Sequence, residues 1–316
     1  MKTLYLEEWQ HLQRNGIFKL FSPPFLQQEL IINRIIDFSQ SCEDCDLLLS
    51  ALFQISGVMM PLQLTHDPNN PIHCQWLQRM QSGNAIAAHC MTEPTCGSDV
   101  FAMKTTAKQD GNRWIINGTK TYICNAPIAD VGLIYVNLEN VEQQKPYNLG
   151  CFLLDVATPG VEVEPPLQKI GLNNIPMGTI HLNNVELPAT HMIGCIGNAH
   201  HIVHMATTFE RLLIPIVFVG IMRKLCAQVT GITKVEIYRH IFVSESVLMT
   251  TLSKIDFSRW HRHYIQLGCL IKWQLSEAYI EVAKLSNNEA VYRDALSSWI
   301  YSGTNDVLKA MLGQLL

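Results

Sequence analysis

The sequence is short of charge. Of its 316 residues only 16% are Asp, Glu, Lys or Arg, against about 25% in an average soluble domain, while 48% are hydrophobic. So little charge on a folded chain predicts faces covered by a partner, and hence a homodimer or homotetramer. A basic surplus is missing too: 23 Lys plus Arg stand against 27 Asp plus Glu, which removes the electrostatic footprint of nucleic-acid binding. Met1 to Asn15 lacks a basic stretch followed by an apolar run, so no secretory signal is expected. The most apolar window, Leu212 to Met222, holds Pro215 and Gly220 and falls short of the roughly 20 residues that a membrane span needs. The ten cysteines show no disulfide-framework spacing and fit a reducing cytoplasm. Cys42-x-x-Cys45 has no second pair at zinc-ribbon spacing, so no metal site is expected. His200, His201 and His204, and separately His261 and His263, have no convergent acidic or Cys partners and read as solvated helix-end residues. Also absent are G-x-G-x-x-G, Walker A, G-x-S-x-G and H-E-x-x-H, and with them the common dinucleotide, phosphate and hydrolase signals.

What is present changes texture along the chain. Leu26 to Phe38 and Asp46 to Val58 repeat apolar positions near a 3.6-residue period, with Pro23, Pro24 and Pro61 as breaks. Gln75 to Gln81 predicts a short helix closed by Ser82-Gly83. From Asn84 the pattern turns to strands. Asp110-Gly111 and Asn117-Gly118 read as hairpin turns flanking Trp114-Ile115-Ile116, and Gly132 to Val136, Gly150 to Asp155 and Ile180 to Val185 are β-rich. Beyond Asn198 long helical patterns return. The order predicts an α+β chain of three domains: helical at 1–84, a middle β-barrel or sheet at 85–197, and a shortened helical bundle at 198–316.

The densest chemical stretch is Thr92-Glu93-Pro94-Thr95-Cys96-Gly97-Ser98-Asp99. Pro and Gly in a polar run make a rigid loop whose N–H groups suit an acceptor-rich ligand. The same stretch also fits a plain turn at a domain start. Around it stand Trp76-Leu77, Ala88-His89-Cys90-Met91, Asn117-Gly118-x-Lys120, Tyr122-Ile123-Cys124-Asn125-Ala126 and Ala129-Asp130. Farther on come Lys169-Ile170-Gly171, Val185-Glu186-Leu187-Pro188, Gly194 and Tyr301-Ser302-Gly303-Thr304-Asn305-Asp306. In this colinear order the chain resembles the acyl-CoA dehydrogenase family of flavoproteins. A subset of the motifs, Pro176-Met177-Gly178, Glu210-Arg211 and Met222-Arg223 among them, resembles the acyl-carrier-protein-dependent dehydrogenases of polyketide and nonribosomal-peptide pathways.

The resemblance implies FAD as cofactor. It implies that Thr92, Gly97 and Ser98 bond the isoalloxazine edge and pyrophosphate, and that Tyr122 lies against the flavin where the family usually has Trp. Cys124 stands where a Thr or Ser hydroxyl is usual; a thiol is a weaker donor. Thr304 and Asp306 match positions that contact the dinucleotide, and Arg239-x-x-Phe242 matches a flavin-diphosphate motif, with Val243 in place of its Gly. The family's Gly-rich segment is shortened here to Asn287-Asn288-Glu289-Ala290.

The implied reaction removes the α-proton of an acyl thioester while the β-hydride passes to FAD. Most members carry the base immediately before the Gly-Thr pair, where this chain has Ser302. Others carry it just before an Arg on a helix of the third domain, and here Glu210-Arg211 stands. Glu210 is therefore the expected base, and the backbone N–H of Ser302 the expected donor to the thioester carbonyl. The implied partners are an acyl-CoA or acyl carrier protein thioester and, for the electrons, an electron-accepting flavoprotein or oxygen. Two alternatives stay open. One is a catalytically silent relative that assembles with an active flavoenzyme, and the other an ordinary acyl-CoA dehydrogenase with trimmed ends.

Overall fold

The computed structural model describes residues 2–23, 27–142 and 147–315. The expected break at Pro24 and helix start at Leu26, and the end residues Met1 and Leu316, lie outside these. Helices come first, strands follow from Ala87 to Pro188, and helices return at Ala199, as the change of texture along the chain predicts. By packing, the chain forms two compact units. The first is Met1–Phe18, Phe53–Leu167 and Ile175–Ala206; the second is Lys19–Leu52, Gln168–Asn174 and Thr207–Leu316.

The N-terminal helices are α1 (Lys2–Arg14), α2 (Gln28–Ser41), α3 (Asp46–Gln54), α4 (Met60–Thr65) and α5 (Pro71–Gln81). The helix expected to stop before Pro61 instead continues through a π-turn, Ile55–Met59, into α4. The π-turn shifts the hydrogen-bond register where the proline supplies no N–H. Helix α5 begins at Pro71, four residues earlier than expected. Asn70 caps it, its side-chain oxygen accepting from the N–H groups of Ile72 and His73, and proline at the first position needs no bond.

The first unit is built on a seven-stranded sheet: β1 (Ala87–Cys90), β2 (Thr106–Asp110), β3 (Arg113–Cys124), β4 (Val131–Glu139), β5 (Leu149–Asp155), β6 (Val161–Val163) and β7 (Met177–Pro188). Strand β4 pairs antiparallel with β5, and parallel with β1 and β2 at successive positions along its length. β3 bridges β2 and β7, and β6 closes the order on β7. Trp114, Ile116, Ile134, Val136, Phe152, Leu154 and Ile180 form its core. Asp110-Gly111 does open the β2–β3 turn. Asn117-Gly118, expected as a second turn, lies inside β3 at a register shift between Ile116 and Gly118. A hairpin dipeptide and a bulge draw on the same residues, so local sequence did not separate them.

Helices of the C-terminal third are α6 (Ala199–Gln228), α7 (Gly231–Leu252), α8 (Tyr264–Leu285), α9 (Glu289–Ser297) and α10 (Asn305–Leu315). Pro215 and Gly220, expected to interrupt the apolar run, sit inside the 30-residue α6. Pro215 only withholds the N–H that would bond to the Arg211 carbonyl. At Gly220 a Cβ would fall 1.8 Å from Ser39 Oγ and 2.6 Å from the Ile36 carbonyl, so glycine is what lets α2 approach α6. Two helical stretches, Asp46–Thr65 and Ala199–Gln228, are in fact long and apolar enough to cross a membrane. Of their apolar windows, 83% and 100% are buried inside the protein, as in core helices.

Candidate active site

Candidate residues fall in both units. In the first they cluster on the loop after β1 and on the end of β3. Glu93 and Cys96 exchange backbone hydrogen bonds (2.9 and 3.2 Å), which folds Glu93-Pro94-Thr95-Cys96 into a tight turn. Gly97 and Ser98 follow it and are exposed. A Cβ at Gly97 would have its nearest neighbour 3.9 Å away, at Thr92 Cγ2, so the chain's own packing does not demand glycine there.

Beneath this loop lies an ion pair that sequence reasoning missed. Lys120 Nζ stands 2.8 Å from Glu93 Oε1, at 0% and 3% side-chain exposure. Glu93 also accepts from the N–H groups of Lys104 (2.5 Å) and Thr105 (3.1 Å), and Lys120 also donates to the Met91 carbonyl. Burial alone would raise the Glu93 carboxyl; Lys120 and these donors outweigh it and hold the group below its ordinary range. The pair ties the loop to β3, and the Thr121 N–H bonds the Thr92 carbonyl at 2.9 Å. A register shift between Lys120 and Ile123 follows, and Tyr122 sits there at φ +56° and is 63% exposed. A bulky residue in the left-handed region costs on the order of 1–3 kcal/mol, and such strain gathers at ligand sites. Cys124, at the end of β3, is half-buried.

The second unit brings Glu210 and Ser302 together. Glu210 and Arg211 lie on α6, each 6% exposed, and the turn from Trp299 to Asn305 meets them. Ser302 Oγ donates to Glu210 Oε2 at 3.1 Å, and Arg211 Nε donates to the Ser302 carbonyl at 2.8 Å. Ser302 and Gly303 have φ +57° and +93°. A Cβ at Gly303 would meet Arg211 Nη2 and Leu308 Cδ2 at 3.3 Å, so the turn needs glycine for both conformation and space.

A second cation grips this turn. Lys272, on α8 and 1% exposed, donates to the carbonyls of Trp299 (3.3 Å) and Gly303 (2.9 Å) and to Asn305 Oδ1 (3.0 Å). Burial, then the neighbouring Arg211 charge, lowers its pKa to about 7. Lys272 had a sequence signal. It falls at helical spacing among Ile265, Cys269, Leu275 and Tyr279, on the buried face of α8.

Other expected residues are placed differently. The Thr304 hydroxyl accepts from the Val307 N–H and so caps α10, while Asp306 is exposed in its first turn. Arg239 and Phe242 stand on the exposed face of α7, with Arg239 Nη2 3.1 Å from His240 Nε2. Among the described residues no group of three or more His, Cys, Asp or Glu could hold a metal ion. In the first unit the exposed Tyr122 and the open Gly97 fit an aromatic, phosphate-bearing cofactor.

Known proteins resemble the chain in sequence and in fold. Residues 88–185 match the model of the acyl-CoA dehydrogenase middle domain. The L-prolyl-[peptidyl-carrier protein] dehydrogenase of Serratia sp. (strain ATCC 39006) is 34% identical over 182 residues, 58% of this chain and 46% of its own length. The long-chain specific acyl-CoA dehydrogenase of Sus scrofa is 32% identical over 160 residues, 50% of this chain and 37% of its own length. The chain thus spans less than half the length of these curated relatives. The crystal structure of the prolyl acyl carrier protein oxidase AnaB superposes with a TM-score of 0.89 at 23% identity, covering 98% of this chain and 90% of that one, which shows the shared fold.

Proposed function

We propose, from the match of residues 88–185 to the acyl-CoA dehydrogenase middle domain and the fold shared with AnaB, that the protein is an FAD-dependent dehydrogenase. Its reaction forms the α,β double bond of an acyl thioester, with the acyl group tethered to a carrier protein or to CoA. The carrier-tethered substrate is favoured by the Serratia relative, which is named as a prolyl-carrier dehydrogenase. The observation that carries the reading is the buried Glu210 carboxylate bonded by Ser302 Oγ.

In this reading Glu210 takes the α-proton onto its carboxylate. Ser302 Oγ, 3.1 Å from Oε2, limits rotation of the carboxylate and so orients it. The Ser302 backbone N–H donates to the thioester carbonyl as enolate charge develops, and Arg211 and Lys272 hold the peptide carbonyls around it. Bound FAD supplies the hydride acceptor. Thr92, Gly97, Ser98, Tyr122 and Cys124 are the residues of the first unit that would hold it, and the family resemblance implies further contacts from Arg239, Phe242, Thr304 and Asp306. Electrons leave to an electron-accepting flavoprotein or to oxygen. The chain acts in the cytoplasm as a homo-oligomer. Ile232, Val235, Tyr238 and Phe242, exposed at helical spacing on α7, support the oligomer.

One titration tests this. The purified protein incubated with FAD should show flavin absorbance that an acyl-carrier thioester bleaches, and Glu210→Gln should retain the absorbance and lose the bleaching. Absence of flavin binding would leave the silent-relative reading standing; unchanged bleaching in Glu210→Gln would refute the base.

A further inference from the structure

Between α2 and α3, in the second unit, lies a dithiol for which the proposed reaction has no use. Cys42 is the C-cap of α2, and Cys45 immediately precedes α3. Their Sγ atoms are 3.2 Å apart, and the Cys45 Sγ also lies 3.3 Å from the Ser39 carbonyl. Both residues are partly exposed. Cys45 lines a cavity of about 500 Å³ together with Glu43, Asp44, Asp46, Lys224 and Tyr279. Lys224 Nζ donates to the carbonyls of Cys42 (2.8 Å) and Glu43 (3.1 Å), which holds the connecting turn and places a cation beside the pair.

We propose that Cys42 and Cys45 are a thiol–disulfide exchange site for low-molecular-weight disulfides, with Cys42 as nucleophile and Cys45 as resolving thiol. The two cysteines have different surroundings. The Cys42 thiol is lowered, first by the hydrogen bond from Cys45 and then, against burial, by Lys224. The Cys45 thiol is raised by the same hydrogen bond, by burial and by the Cys42 charge. Reactivity follows the thiolate, so Cys42 attacks first. Its sulfur bonds to one sulfur of the disulfide and the other leaves as a thiolate, which takes a proton from water. Once Cys42 is capped, its charge and its hydrogen bond no longer hold the Cys45 proton. Cys45 then deprotonates, attacks Cys42 Sγ and expels the second small thiol. Two protein thiols are oxidised to a disulfide and one small disulfide is reduced to two thiols. This step needs neither flavin nor Glu210, so its success or failure is independent of the proposed function.

The experiment treats the full chain with hydroxyethyl disulfide, a neutral probe, then alkylates remaining thiols and maps all ten cysteines by mass. Exposed Cys195 is the internal control for simple accessibility. The expected result is a Cys42–Cys45 disulfide forming about tenfold faster than any adduct on Cys195. In urea that advantage should vanish. With Cys45→Ser a stable probe adduct should accumulate on Cys42, and with Cys42→Ser the Cys45 thiol should stay alkylatable. Faster reaction at Cys195, a wild-type Cys42 adduct that never closes, or an adduct on Cys45 in Cys42→Ser would each overturn the proposal.

Discussion

Lys120 in the first unit and Lys272 in the second are both almost completely buried, and their surroundings differ in kind. Lys120 faces the Glu93 carboxylate at 2.8 Å, and that carboxylate accepts two further N–H bonds. Lys272 faces two peptide carbonyls and one amide oxygen, with Arg211 as a like-charged neighbour. Acids follow the same division. Glu93 is stabilised as an anion, whereas buried Asp46 lies near Asp44 and Asp294 and accepts from the Asn174 N–H at 2.9 Å. Burial first, and Asp44 next, raise Asp46 to about 7. In the first unit Lys120 keeps Glu93 charged, although burial still lowers Lys120 itself against the pull of Glu93, while the second unit holds groups that change charge near neutrality. A sheet that presents a loop gains from the former. The second unit is left responsive to pH.

The largest effect should come from breaking the compensated pair. Lys120→Met leaves Glu93 buried without its cation and should cost about 3–5 kcal/mol in chemical unfolding. A loss under 1 kcal/mol would show that water reaches the pair. Lys272→Met should cost less at pH 7, because the wild-type lysine already shares its population with the neutral amine there. The sign follows from linkage. The folded pKa lies below the unfolded one, so from about pH 7 to 10 the unfolded chain binds the extra proton and wild-type stability rises with pH. Lys272→Met should flatten that rise by a few kcal/mol, and an unchanged slope would disprove the uncompensated charge.

Asp46→Asn sharpens the contrast at the acid end. The folded chain keeps a proton on Asp46 that the unfolded chain has released, so wild-type stability falls as pH rises from about 4 to 7. The amide oxygen can still accept from Asn174. The variant should therefore lose the fall, worth on the order of 4 kcal/mol, and be the more stable protein at pH 7. Equal slopes for both would count against it. Ser302→Ala is the smallest change. It should leave unfolding nearly unaltered and slow flavin bleaching about tenfold, the worth of one orienting hydrogen bond to a charged group. An unslowed reaction would remove Ser302 Oγ from the account of Glu210.

Legibility in the sequence followed the range of the interactions. Helical periods, hairpin residues and colinear motifs are local, and they placed α2, the long strands and the loop at Thr92. Short strands β1 and β6 went unread because each has too few residues for alternation to show. Strand β7 was longer than expected, since pairing with β3 extends it in both directions. Of the candidate site, residue types were readable and contacts were not. Glu210 and Ser302 are 92 positions apart and meet at 3.1 Å, and nothing in either segment announces the other.

By itself the sequence determined the order of helix, sheet and helix, the family resemblance and the residue types available for acid–base chemistry. These depend on side-chain spacing along one stretch of backbone. Only the tertiary structure decided that Lys120 is paired and Lys272 is not, that Ser302 bonds Glu210, and that Pro215 lies within a continuous helix. Burial and charge compensation are sums over neighbours distant in sequence, so they exist only once the chain has packed.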